Sequence, residues 1–195
     1  MKSILLAAIA ATGLTAPAFA QEVTIRVHHF LSADAPMHKD VLMPWEKSVE
    51  DASGGRIDVQ LYPSMQLGGK PPQLYDQARD GIVDVSWTLL GYTPNRFPVS
   101  EVFELPFMST TATATTNALQ EFQAKYLGDE LKDVHPLLIH APSAYKFHMA
   151  SKEVASLDDL KGLKIRAPSR AMTDGLNALG ATAVGMPVPE VAQSL

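Results

Sequence analysis

Val23 to Phe30 reads VTIRVHHF, a run rich in β-branched and aromatic residues, and such a run fits a strand. Ser32-Ala-Asp-Ala-Pro36 follows with the marks of a helix start: Ser32 or Asp34 as cap, and Pro36 early in the first turn. The helix is expected to reach about Ser53, with Val41, Trp45, Val49 and Ala52 recurring on one face. Pro44 should bend or split it, because proline has no N–H to donate and its ring crowds the preceding turn. Gly54-Gly55 ends it, since glycine enters the left-handed conformation without strain. Arg56 to Tyr62 (RIDVQLY) alternates as a second strand does. A loop punctuated by proline and glycine runs from Pro63 to Pro72, then a short helix from Gln73 to Asp80 closed by Gly81. Val83 to Leu89 (VDVSWTL) reads as a third strand. The order β-α-β-α-β favours parallel strands with right-handed crossovers, and so an α/β fold.

Outward from this core the pattern continues less regularly. Phe97 to Phe107 is an irregular apolar stretch ending in Leu105-Pro106-Phe107, and Ala112 to Leu127 reads as a helix despite its threonines. Leu137 to His140 and Tyr145 to Ser151 read as two further strands. Ser156-Leu-Asp-Asp-Leu160 is a helical turn, Leu163 to Arg166 a short strand stopped by Pro168, and Met172 to Leu179 a helix closed by Gly180. Thr182 to Gly185 is another strand, and Pro187 or Pro189 opens a last helix that has barely begun at Leu195. An element cut in its first turn points to a fragment.

Composition narrows the function. Of the 195 residues 46% are apolar and 19% charged, enough for a packed core rather than a disordered chain. The net charge of −5, without a basic patch, argues against nucleic acid as a partner. The absence of cysteine removes disulfides and thiolate chemistry. At the N-terminus, Lys2, the apolar run Ile4 to Thr15 and Ala18-Phe19-Ala20 fit a cleavable export signal, with cleavage after Ala20. That run is too short to span a bilayer, so the mature chain is expected to be soluble, without direct membrane insertion.

Several local strings, taken together, resemble the substrate-binding subunit of tripartite ATP-independent periplasmic (TRAP) transporters, the dicarboxylate-binding family. They are Gly55-Arg56-Ile57 with Tyr62-Pro63 and Gln66-Leu67-Gly68; Gly81-Ile82-Val83-Asp84; Arg96-Phe97-Pro98 with Leu105-Pro106-Phe107; the stretch from Leu157 to Pro168 (LDDLKGLKIRAP); and Leu179-Gly-Ala181 followed by Met186-Pro187 and Glu190. The resemblance covers about Glu22 to the end. It implies a periplasmic-binding-protein-like, two-lobed fold, with mixed or parallel sheets flanked by helices, that closes on its ligand by hinge motion. It also implies that the fold is incomplete at the C-terminus, because family members continue well beyond this point. On this reading residues 1–20 are the signal peptide, 21–140 the N-terminal lobe and 141–195 the first part of the second lobe. The expected partners are a small carboxylate ligand and the TRAP membrane permease subunits, with no cofactor and no metal. The rivals are a binding subunit for an ABC importer or a sensor kinase, and a periplasmic hydrolase.

Arg166 leads the candidate ligand residues. It ends a predicted strand, and ligands of open α/β sheets gather beyond the carboxyl ends of strands. A guanidinium there can grip a carboxylate with two parallel charge-assisted hydrogen bonds, which lysine cannot do. The TRAP resemblance places its carboxylate-binding arginine at this position; the alternative is a surface arginine paired with Asp158 or Asp159. Lys146 and Tyr145 lie in a predicted strand expected to neighbour that of Arg166. The resemblance implies a second arginine near Lys146 in some relatives with sugar-acid ligands; this chain has lysine, which also fits a solvated side chain and does not supply a second bidentate grip. Trp87 ends the third strand and Tyr92 follows in the loop; both fit the aromatic wall of a pocket, or a core. Trp87 with Thr88 and a single firm arginine leans toward a monocarboxylate with an apolar or aromatic body. His28 and His29 are adjacent on a strand and so point to opposite faces, which sets them poorly for one metal site; His29 is the candidate for the cleft, against a structural role for each. Spacings for zinc or calcium ligands, a nucleophile elbow, a P-loop and a dinucleotide-binding turn are all missing.

Overall fold

The computed structural model describes residues 21–194. The expected export signal therefore lies outside the described residues. β1 (Val23–His29) is the middle of a three-stranded parallel sheet with β2 (Ile57–Tyr62) on one side and β3 (Val85–Trp87) on the other. The register runs from Val23 against Ile57 to His28 against Tyr62, and His29 pairs with Trp87. Val27 and Val59 are sealed inside at 0% and 2% exposure. The edge of β2 is not left bare: the Glu50 carboxylate accepts the Val59 N–H at 3.1 Å, which satisfies a backbone donor.

Pro44 reshapes the first helix. A widened, π-helical turn occupies Met37–Leu42, and α1 (Met43–Ser53) begins with Pro44 as its second residue. The wider turn relieves the clash between the proline ring and the carbonyl four residues back. It also rotates the buried face. Trp45 and Val49 are half-buried as expected, but Val41 and Ala52 are exposed, while Leu42 and Ser53 turn inward. Gly54 ends the helix at φ 65°. The loop after β2 is held by His28, which accepts the Leu67 N–H at 3.3 Å through Nε2 and donates from Nδ1 to Gln77 Oε1 at 2.7 Å. Gln77 in turn donates to the Gly68 carbonyl at 3.0 Å. Both ring nitrogens of His28 are thus used in opposite senses, which only the neutral Nδ1–H imidazole can satisfy.

α2 (Leu74–Arg79) and α3 (Ala112–Tyr126) complete the first unit. The Thr111 hydroxyl caps α3 by accepting the Ala114 N–H at 3.1 Å. Tyr75, Phe97, Leu127 and Leu131 form one core cluster; Phe30, Leu74 and Tyr92 form another beneath the sheet end. The second sheet pairs β4 (Lys164–Ala167) with β5 (Thr182–Gly185) in parallel, joined by α4 (Arg170–Ala178). Leu160, Ala167, Leu176 and Ala181 fill the space between sheet and helix. α5 (Val188–Ser194) follows.

Two expected strands do not form. Residues 137–140 and 145–151 run as irregular chain, and Leu137, Leu138, Tyr145 and Phe147 stay exposed. Their composition suits a pleated, half-buried surface, but β propensity needs a neighbouring strand to act on. Among the described residues neither stretch has one. The expected neighbour relation between the Lys146 stretch and β4 therefore fails.

Candidate functional site

β4 and β5 end side by side, and the residues just after them form one wall of a crevice of about 300 Å³: Ser169, Arg170, Met186 and Pro187 on this side, Gly91 and Tyr92 on the other. The crevice thus sits beyond the carboxyl ends of parallel strands, where backbone groups and strand-end side chains converge. Gly91 is required by closeness rather than by its dihedral angles. A Cβ there would lie 2.8 Å from both a Glu104 carboxylate oxygen and the Ser169 Cβ.

Arg166 is half-buried on β4. Its Nε donates to the Met186 carbonyl at 2.8 Å, and one terminal nitrogen lies 3.5 Å from the Tyr92 hydroxyl. That hydroxyl also accepts the Val188 N–H at 3.1 Å. No carboxylate pairs with Arg166 among the described residues: Asp158 holds Lys161 at 2.7 Å, and Asp159 caps its own turn through Ser156 and faces Lys152. The guanidinium is anchored at Nε, while its terminal NH₂ groups have no anion to hold.

Tyr145 lies close to the same group. It is 55% exposed, yet crowding around its hydroxyl, then the negative charge of Glu104 and the Tyr92 phenol, push it above the ordinary tyrosine range, opposed by Arg166. It stays a neutral donor. Glu104 is raised chiefly by burial, with Glu101 adding to the shift and Ser169 and Arg170 opposing it. One of its carboxylate oxygens is buried without a hydrogen-bond partner. Trp87 reaches the group through a stack: Trp87 on Phe30 at 5.1 Å, and Phe30 against Tyr92 at 5.1 Å. Such contacts make a rigid apolar wall.

The structure therefore brings Arg166, Tyr92, Tyr145 and, through Phe30, Trp87 into one neighbourhood. It does not bring Lys146 or His29 there. Lys146 is exposed on the irregular stretch. His29 is fully buried and its Nε2 meets His38 Nδ1 at 2.9 Å, on the π-helical turn. Burial, then the neighbouring His38 and His28, lower its pKa to about 4. Phe30, Glu104 and His140 were not singled out by sequence. The available signal for Glu104 was an acid, one of two with Glu101, set between Phe103 and Leu105 inside the apolar stretch 97–107; for Phe30 and His140 only their places at the ends of predicted strands pointed this way.

A parallel α/β sheet and a second βαβ unit facing each other across a crevice define a two-lobed binding fold. The chain belongs to the bacterial extracellular solute-binding protein family 7 (DctP), whose pattern matches residues 27–195. A TRAP solute-binding protein from a marine metagenome, specific for aromatic acid ligands and crystallised with metahydroxyphenylacetate, is 48% identical; the match covers 89% of this chain and 54% of that one, with a TM-score of 0.87. A TRAP solute-binding protein from Rhodoferax ferrireducens T118, crystallised with copurified benzoate, is 45% identical over 88% of this chain and 53% of that one, with a TM-score of 0.86. The C4-dicarboxylate-binding periplasmic protein DctP of Rhodobacter capsulatus is 28% identical over 93% of this chain and 55% of its own length. The chain spans about half the length of the curated relatives it matches. No helix among the described residues is long and apolar enough to cross a membrane.

Proposed function

We propose that this chain carries the carboxylate-gripping half of a periplasmic protein that captures an aromatic monocarboxylate and delivers it to TRAP permease subunits, without chemistry on the ligand. The observation that carries the reading is a half-buried guanidinium with no acid partner among the described residues, set beside an aromatic wall. The free terminal nitrogens of Arg166 suit two parallel bonds to a carboxylate, Tyr145 offers a neutral hydroxyl, and Trp87 with Phe30 and Tyr92 suits a flat ring. The structural relatives support this choice over a dicarboxylate, since those at 48% and 45% identity hold metahydroxyphenylacetate and benzoate. On this reading residues 1–20 direct export, 21–140 form one lobe and 141–195 open the second. Hinge closure over the ligand presents the docking surface to the permease.

A thermal-melt screen of the full-length protein tests the ligand class. Benzoate, 3-hydroxybenzoate and phenylacetate are expected to raise the melting temperature. A ligand at a hundred times its dissociation constant stabilises by about 2.7 kcal/mol. Shifts with succinate or gluconate and none with any aromatic acid would overturn the aromatic assignment.

A further inference from the structure

We propose that His140 is a positioning residue of the pocket, which fixes the Trp87 indole so that its ring face, and not its N–H, meets the ligand. The inference rests on the reading of Trp87 as a pocket wall. Trp87 Nε1 lies 3.0 Å from His140 Nε2, and the two ring planes are nearly parallel, 19° apart, with centroids 6.0 Å apart. An indole N–H can only donate. His140 must therefore present a lone pair at Nε2 and keep its own proton on Nδ1.

Two contacts together hold the indole. Phe30 stacks on it at 27° and sets the plane of the ring. That stack tolerates a flip of the indole about its side-chain bonds; the bond to His140 does not, because it specifies which edge points where. His140 is itself held from both sides. Gln120 of α3 donates to the Ile139 carbonyl, and Thr116 of α3 accepts the Ala141 N–H at 3.0 Å. The two peptides flanking His140 are thus tied to α3, and its ring has little freedom to follow a moving tryptophan.

The consequence is selectivity through orientation. With its N–H committed to His140, Trp87 offers no donor to a carboxylate, and Arg166 remains the group that receives the anion. Without His140 the freed N–H needs another acceptor, and the ligand carboxylate is one. The ligand then has two competing orientations and a wall no longer locked.

The test uses the full-length protein and three substitutions. His140→Phe keeps a ring and removes the acceptor; His140→Gln replaces the ring but keeps an acceptor; Trp87→Phe removes the donor. Benzoate affinity is measured by calorimetry. The emission of Trp87 is read without ligand as the difference between each protein and the same protein carrying Trp87→Phe, which isolates this indole from any other tryptophan. His140→Phe is expected to weaken benzoate about fivefold, the loss of roughly one hydrogen bond, and to shift the Trp87 emission. His140→Gln is expected to return both close to the parent values. Adding His140→Phe to Trp87→Phe should cost nothing further. Parent-like affinity and emission in His140→Phe would overturn the proposal, as would equal losses in the Phe and Gln variants. Failure of the parent protein to bind benzoate would strike the ligand reading instead, and the unliganded emission would still decide the His140–Trp87 link.

Discussion

Replacing Arg166 with alanine in the full-length protein is expected to lower benzoate affinity about a hundredfold, and replacing it with lysine to recover only part of that loss. The Nε atom already serves the Met186 carbonyl at 2.8 Å, which fixes the plane of the guanidinium before any ligand arrives. The two terminal nitrogens then form a fork, with only a loose 3.5 Å contact to Tyr92. Each charge-assisted hydrogen bond contributes roughly 1.5–3 kcal/mol, and about 2.7 kcal/mol corresponds to a hundredfold in affinity. Lysine restores the charge but not the fork, and it cannot serve the Met186 carbonyl and two carboxylate oxygens in one plane. Calorimetry with melting curves of each variant separates affinity from folding. An alanine variant that folds and binds as the parent does would remove the anchoring role.

Acid is the second large lever. Lowering the pH from 7 to 4 is expected to cost the fold on the order of 3 kcal/mol through His29 alone. Its pKa is held at about 4 in the folded chain by burial first, then by His38 and His28, against 6.5 as the ordinary value. The unfolded chain therefore takes up a proton that the folded chain refuses. Stability is complete above pH 6.5, falls steadily between 6.5 and 4, and levels off below 4, where both states are protonated. Asp34, Asp80 and Asp159 are held below their usual range by Lys39, Arg79 and Ser156 respectively and weaken the fold only at more acid pH. Glu46 and Glu104 are raised by burial and act in the opposite sense. The contribution of His29 is thus best read as a difference. Urea unfolding of the parent and of His29→Asn across pH 4 to 8 should show a flatter decline in the variant. Parallel curves would assign the acid sensitivity elsewhere.

The first sheet was legible because its strands alternate and its turns are punctuated. The runs around Val27, Val59 and Val85 read as strands and pair as parallel neighbours of a central β1. The stretches at 137–140 and 145–151 misled for a physical reason: their residues favour a sheet, but a sheet is a property of two segments and sequence shows only one. The face of α1 shifted because Pro44 forces a wider turn upstream, and helical periodicity counted across that turn slips out of phase. Of the site, the cation on β4 and the aromatic residues following β3 were legible from their places relative to strand ends. Phe30 and His140 were not, because what places them is a chain of ring contacts between segments more than 50 residues apart. His29 showed the limit of alternation. It said that His28 and His29 face opposite ways, but not that each would find a buried partner, Gln77 in one case and His38 in the other.

A crystal structure of the full-length protein soaked with benzoate decides whether Arg166 is the anion's anchor. The carboxylate is expected within hydrogen-bonding distance of both terminal nitrogens of Arg166, with the ring against Trp87. A benzoate bound elsewhere, with the Arg166 side chain turned to bulk solvent, would contradict it.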